Sequence, residues 1–179
     1  MTNKAFKICE RKNCEKTHKM RRDGDIPGII YGEHLETPIE IKLPFGTLTK
    51  LLQQNTFGSI ISLDLNGTTL LCVVKDVQRN NYGKLMHVDF QNVSHNDIIK
   101  MKIPVDFIGE EALTTKNLHL ETFQPVLEFH GSVDKIPELI EFNVSDMNFE
   151  DKVFAKDILI PDGVELLTNC DTLLAVVNA

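Results

Sequence analysis

The second half of this chain has no arginine. Residues 94–179 carry 6 Lys against 16 Asp+Glu, a balance of −10, whereas residues 1–93 carry 13 Lys+Arg against 10 Asp+Glu, a balance of +3. All four arginines (Arg11, Arg21, Arg22 and Arg79) lie in the first half. Cationic side chains hold phosphate by releasing its condensed counterions, so an acidic half so poor in them is excluded as a phosphate grip and suits some other partner. Long apolar runs are also missing, so no membrane span is expected. The start, Met1-Thr2-Asn3-Lys4-Ala5-Phe6, runs into charge rather than into an apolar segment, so no secretory leader is expected either. Both absences point to a cytoplasmic protein with reduced thiols.

Cysteine is scarce and poorly arranged for a metal. Cys9 and Cys14 have no matching second pair, and His18 is a weak complement, so no metal ion and no cofactor are expected. Cys9 is expected to pack at a strand end and Cys14 to lie on the surface. No glycine-rich phosphate loop, nucleophile elbow or metal-suited carboxylate cluster is visible, so no catalytic residue is assigned.

What the chain does have is β patterning. A length of 179 residues with 42% apolar content supports one large domain or two small ones. Residues 37–43 alternate apolar and polar, as a strand with one wet face does. Residues 59–65 and 68–77 are apolar or β-branched runs separated by Asn66-Gly67, the sequence of a two-residue type I′ turn. A further strand is expected over 84–90. Leu48, Leu51 and Leu52 at helical spacing predict a short amphipathic helix over 45–54. Residues 11–22, with Met20 almost their only apolar side chain, form either a short helix or an irregular arm, poorly ordered without a partner. A polar stretch at 93–97 marks the expected boundary between domains spanning 1–93 and 94–179. Beyond it, Met101, Ile103, Val105 and Phe107 alternate with polar residues, as do Ile140, Phe142 and Val144. Pro161-Asp162-Gly163 reads as a turn, and 172–177 as a final apolar run.

Candidate chemistry concentrates on residues 84–90. On a strand, Met86, Val88 and Phe90 point to the core, while His87 and Asp89 point the other way. The preceding strand ends at Gln78-Arg79 after a short polar loop, so Gln78, Arg79, His87 and Asp89 are expected to lie close together. His87 and Asp89 could act as a base and its orienter, but nothing supplies a nucleophile, and an alternating polar face is most often just solvated. Binding uses the same groups better. Arginine contacts phosphate, while amide, imidazole and carboxylate groups can read base edges or a 2′-hydroxyl. The first 22 residues add Lys4, Lys7, Arg11, Lys12, Lys16, Lys19, Arg21 and Arg22 against only Glu10 and Glu15. The tight apolar segment Ile26–Gly32 would anchor this arm.

These motifs carry a resemblance. Arg21-Arg22, then Ile26-Pro27-Gly28-Ile29-Ile30-Tyr31-Gly32, then Val74-Lys75-Asp76-Val77-Gln78-Arg79 and His87-Val88-Asp89-Phe90 closely resemble the bacterial large-subunit ribosomal protein family that binds 5S ribosomal RNA. Lys102-Ile103-Pro104-Val105, Ile136-Pro137 and residues 156–164 resemble the second domain of its long form, the general stress protein CTC form. The resemblance implies a mainly β protein: a small closed antiparallel β-barrel with a few helices, akin to the anticodon-binding barrel of glutaminyl-tRNA synthetase, followed by a second β-rich domain. It implies a non-enzymatic, ribosome-associated monomer at the central protuberance, with 5S RNA as partner. Carried over residue by residue, the RNA-facing positions are Arg11, His18, Lys19, Arg21, Tyr31, Gln78, Arg79, His87 and Asp89, with Lys16, Arg22 and Lys84 as added phosphate contacts. His18 and Lys19 stand where the family often has arginine, which removes two guanidinium forks from the arm. From its charge alone, the acidic half is expected either to contact neighbouring ribosomal proteins, many of them basic, or to extend contact to the subunit interface. Two other readings remain: a stress-related factor acting on another RNA such as tRNA, and an enzyme built on His87 and Asp89.

Overall fold

The computed structural model describes residues 5–12, 15–55 and 59–179, which divide into two compact units, one through Ser94 and one from His95. Lys4 and Cys14 lie outside the described residues. In the first unit, β1 (Phe6–Glu10), β2 (Asp25–Tyr31), β3 (Ile39–Pro44), β4 (Ile60–Leu65), β5 (Thr68–Arg79) and β6 (Leu85–Asn92) close a barrel in the order β1-β3-β2-β6-β5-β4. Closure agrees with expectation, but the barrel is not wholly antiparallel. β1 runs parallel to β4, and β2 parallel to β6. Both parallel pairs are separated by long stretches of chain, as parallel pairing requires. Alternation fixes the face of each residue but carries no information on the direction of a distant partner.

The core follows from the alternation. Ile26, Ile30, Ile41, Leu43, Leu63, Val88 and Phe90 are almost fully buried inside the barrel, and α2 (Phe45–Gln54) adds Leu48 and Leu51. The hairpin at Asn66-Gly67 has φ of 53° and 89° at its two turn residues, and the β4–β5 ladder closes on Leu65 opposite Thr68. Gly28 is required by contact. A Cβ there would lie 2.7 Å from the carbonyl oxygen of Val88, so the parallel β2–β6 seam tolerates no side chain at that point.

Two bulges shape the β5–β6 ladder, between Val74 and Asp76 and between Gln78 and Arg79. The second corrects one expectation. His87 pairs with Gln78, but Arg79 pairs with Leu85, so Met86 is the extra residue. Met86 is therefore only half-buried, and Leu85 takes the core position at 3% exposure. Cys9 is a second correction. It lies on β1 but is exposed, because its neighbour Ile8 takes the inward position.

The basic arm forms α1 (Thr17–Asp23), ended by Gly24 at φ 95°, whose N–H donates to the Met20 carbonyl. Seven residues cannot hold a helix unaided. Met20, 5% exposed, supplies the buried anchor.

The second unit is also β-rich. One sheet has the order β10 (Ile140–Asn143), β7 (Ile98–Ile108), β9 (Val126–Ser132) and β12 (Val164–Leu166). The other has the order β11 (Lys152–Phe154), β13 (Leu173–Asn178) and β8 (His119–Thr122), with α3 (Glu110–Thr115) following β7. Met101, Ile103 and Val105 of β7 are buried as their alternation predicts. Gly163, at φ 82°, turns the chain after Pro161.

Candidate functional site

Strand register lays the barrel's polar residues out in rows. Glu40 of β3, Ile29 of β2, Asp89 of β6 and Asp76 of β5 are successive neighbours across four strands, all on the outward parity. Two residues along, about 6.6 Å away by strand geometry, runs a second row. There Lys42 faces Pro27, and His87 faces Gln78. On the opposite side of the first row, Tyr31 pairs with Gln91. The outer face therefore presents a phenol, an imidazole, two carboxylates and two amides on three adjacent strands.

His87 and Asp89 act as one group. His87 Nδ1 donates to Asp89 Oδ1 at 2.6 Å, with both side chains 27% exposed. A carboxylate can only accept, so Nδ1 is the donor in this contact and Nε2 is the ring atom left to meet an incoming group. Asp76 stands directly opposite Asp89, an unfavourable juxtaposition of like charges across a ladder. Burial and these two carboxylates push the Tyr31 phenol above its ordinary value of 10.0, so it stays protonated and able to donate at neutral pH.

Cations gather at the end of the strands where β2 starts and β5 ends. In α1, Arg21 turns inward, and its Nε donates to the carbonyl oxygen of Met86, the bulged residue, at 3.1 Å. Lys16, His18, Lys19 and Arg22 are exposed. Lys42 Nζ donates to Glu15 Oε1 at 2.6 Å, which ties the segment before α1 to β3. That contact lowers the Glu15 carboxyl and raises the Lys42 amine relative to their ordinary values.

Three expected site residues are placed differently from the rest. Arg79 does not join Gln78 and His87 on the outer face. Beyond the bulge its Nη1 donates to the Gly83 carbonyl at 3.1 Å, and it lines a groove with Lys84, Phe45 and Leu52. Arg11 lies beside Glu40, with Nη1 3.4 Å from its carboxylate, and its buried Nε has no hydrogen-bond partner among the described residues. Arg21 spends its Nε on the bulge. Gln78, His87 and Asp89 are brought together as expected, and Tyr31 lies on the same face beyond Asp89.

Sequence reasoning missed Asp76 and Lys42 on the same face, although the alternation of β3 already put Lys42 on its wet side. It also missed Tyr82. That ring, 94% exposed, sits at the tip of the β5–β6 hairpin, where the Asn80 side chain accepts from the N–H groups of Tyr82 and Lys84 at 3.0 and 2.9 Å. The available signal was a tyrosine, one of 2 in the chain, inside a loop of polar residues.

The class of protein is a closed β-barrel with an open, polar outer sheet face, followed by a second β-rich unit. The comparisons with known proteins then specify which kind. Residues 7–90 match the family model described as Ribosomal L25p family, and residues 98–179 match that of Ribosomal protein TL5, C-terminal domain. A large ribosomal subunit protein bL25 of Desulfitobacterium hafniense is 32% identical over 179 residues, covering 99% of this chain and 98% of that protein. The bL25 proteins of Streptomyces coelicolor, 34% identical over 87% of this chain and 77% of the relative, and of Thermoanaerobacter sp. strain X514, 29% over 98% and 87%, are also similar. The chain belongs to the Ribosomal L25p family, in its two-domain form. It is a structural ribosomal protein of the cytoplasm and not an enzyme, so His87 and Asp89 are not a catalytic pair.

Proposed function

We propose that this protein is a structural component of the large ribosomal subunit that holds 5S ribosomal RNA at the central protuberance. In this reading residues 1–93 grip the RNA and residues 94–179 do not. The observation that carries it is the separation of charge along the barrel's outer face. Exposed Lys16, Lys19, Arg22, Arg79 and Lys84 crowd one end of the strands, while Asp89 and Asp76 occupy the middle. Phosphates are attracted to the first region and repelled by the second. The RNA backbone therefore runs over α1 and the β5–β6 hairpin, and base edges and 2′-hydroxyls fall on the centre.

The central groups suit that contact. Two facing carboxylates lose their mutual repulsion when donors, such as base amino groups or 2′-hydroxyls, come between them. Gln78 both donates and accepts, the His87 ring presents its free Nε2, and the protonated Tyr31 hydroxyl donates. A-form RNA offers a wide, shallow minor groove that an outward-curving sheet can cover. Arginine and lysine contacts to phosphate are charge-assisted, roughly twice as strong as neutral hydrogen bonds, and supply most of the affinity.

A gel-shift titration with labelled 5S RNA, with tRNA as competitor, tests this reading. Preferential retention of 5S RNA is expected, with weakened binding by Arg79→Ala and by His87→Ala in chains that remain folded. Displacement by tRNA at equal concentration would favour the other RNA as ligand. Unchanged affinity in both variants would remove the face from the contact.

A further inference from the structure

The acidic unit has a feature that the RNA contact does not use. β10 is an edge strand, hydrogen-bonded in its sheet only to β7 among the described strands. Residues 140–143 of β10 line a groove of about 440 Å³ together with Pro137, Leu139 and residues of the 157–161 segment, among them Leu159 and Pro161. Leu159 is 92% exposed, and Ile160 and Leu139 nearby are 43% and 37% exposed. Glu141 and Asp157 are among the lining residues, with no lysine or arginine. Asp157 is engaged locally, accepting from the Phe154 N–H at 2.8 Å, whereas Glu141 is exposed on the open strand.

We propose that this slot takes up an extended, lysine- or arginine-rich segment of a neighbouring protein as an added strand beside β10. Each part of the slot supplies one element of such recognition. An open edge offers backbone donors and acceptors in strand spacing, which gives affinity without sequence preference. Leu159 and Pro161 form an apolar ledge for alternate side chains of the guest, and an exposed apolar ledge beside acidic residues suits an interaction site. The unit's charge of −10 over residues 94–179 selects a cationic guest. The same charge argues against the other occupants. RNA is repelled, and a second copy of this edge would set Glu141 against Glu141. A carboxylate on an edge strand also serves simply to prevent self-pairing, but that role leaves the Leu159 ledge unused.

The test uses the full chain and a short fluorescein-labelled peptide of alternating lysine and valine, followed by fluorescence anisotropy and amide chemical shifts. Saturable binding is expected, with shifts confined to residues 140–143 and 158–161. Peptides alternating lysine with serine, or glutamate with valine, should bind at least about tenfold more weakly, a difference of ~1.4 kcal/mol. Leu159→Ser and Glu141→Lys alter exposed side chains, so folding is retained, and each should lower affinity by a similar factor. Three results overturn the proposal: no binding of the lysine–valine peptide, equal binding of the lysine–serine peptide, or shifts scattered over the acidic surface. The last two would mean charge attraction alone.

Discussion

Nδ1 of His87 donates to Oδ1 of Asp89 across 2.6 Å, two residues apart on one face of one strand. The carboxylate holds Nδ1 as the donor and fixes the tilt of the ring, so in the proposed contact the imidazole meets the RNA already aimed. A preorganised group loses less freedom on binding than one that must be ordered.

From this pairing the two side chains are expected to act as a unit. His87→Ala and Asp89→Ala should each weaken 5S RNA binding, and the double variant should lose little more than the worse single one. A coupling energy of ~0.5–3 kcal/mol is typical of residues in direct contact. Gel-shift affinities for the four proteins of the cycle measure it, and strict additivity would separate the roles of the two residues.

Tyr82 is expected to extend the proposed contact to the hairpin tip. Its ring stands 94% exposed on a turn held by Asn80, between Arg79 and Lys84. An exposed ring flanked by cations is a stacking surface for an unpaired base, and such stacks are worth ~1–3 kcal/mol by alanine substitution. Tyr82→Ala should therefore reduce 5S RNA affinity by about fivefold or more, whereas Tyr82→Phe should keep it. Equal losses in both variants would assign the effect to the hydroxyl instead.

The Glu15–Lys42 contact makes the approach to α1 sensitive to pH at both extremes. The folded Glu15 carboxyl lies below its ordinary 4.5, so its stabilisation is complete above that value and fades as pH falls through the folded one. The folded Lys42 amine lies above its ordinary 10.5, so its share is complete below that value and is lost as pH rises through the folded one. Amide exchange of residues 16–23 across the pH range should show α1 loosening first at the acid end. Glu15→Gln should abolish that acid transition and leave the barrel amides unchanged.

Cys72 offers a check on the core. Burial pushes its thiol up to about 12, with the Asn92 side chain pulling weakly the other way. The thiolate is the reactive form, so Cys72 should resist iodoacetamide at pH 8 in the native protein. Cys9 and Cys170 are exposed and should be alkylated readily, with Cys72 following only in denaturant. Mass mapping of the alkylated peptides reads this directly.

Much of the fold was legible because its signals are local. Asn66-Gly67 demands positive φ whatever surrounds it, and the alternation of residues 84–90 separates His87 and Asp89 from Val88 and Phe90. The losses came from long-range geometry. A bulge at Met86 reverses the parity beyond it, which exchanges Met86 for Leu85 in the core and turns Arg79 towards α2. No pattern within 11–22 announces that Arg21 will serve a barrel carbonyl, or that Arg11 will meet Glu40. An arginine's charge is visible in sequence, but its partner depends on which strand arrives beside it. The parallel β1–β4 and β2–β6 seams were hidden for the same reason. What the sequence did disclose of the site, the grouping of Gln78, His87 and Asp89, rests on one short hairpin.

The central claim is that exposed cations at one end of the barrel grip RNA phosphates, and the salt dependence of 5S RNA binding tests it most directly. With about five phosphates neutralised by Lys16, Lys19, Arg22, Arg79 and Lys84, the slope of log affinity against log salt should lie at roughly −3 to −5. Removing Lys19 and Arg22 together should make it shallower by about 1.5. An affinity that hardly changes with salt would contradict the account.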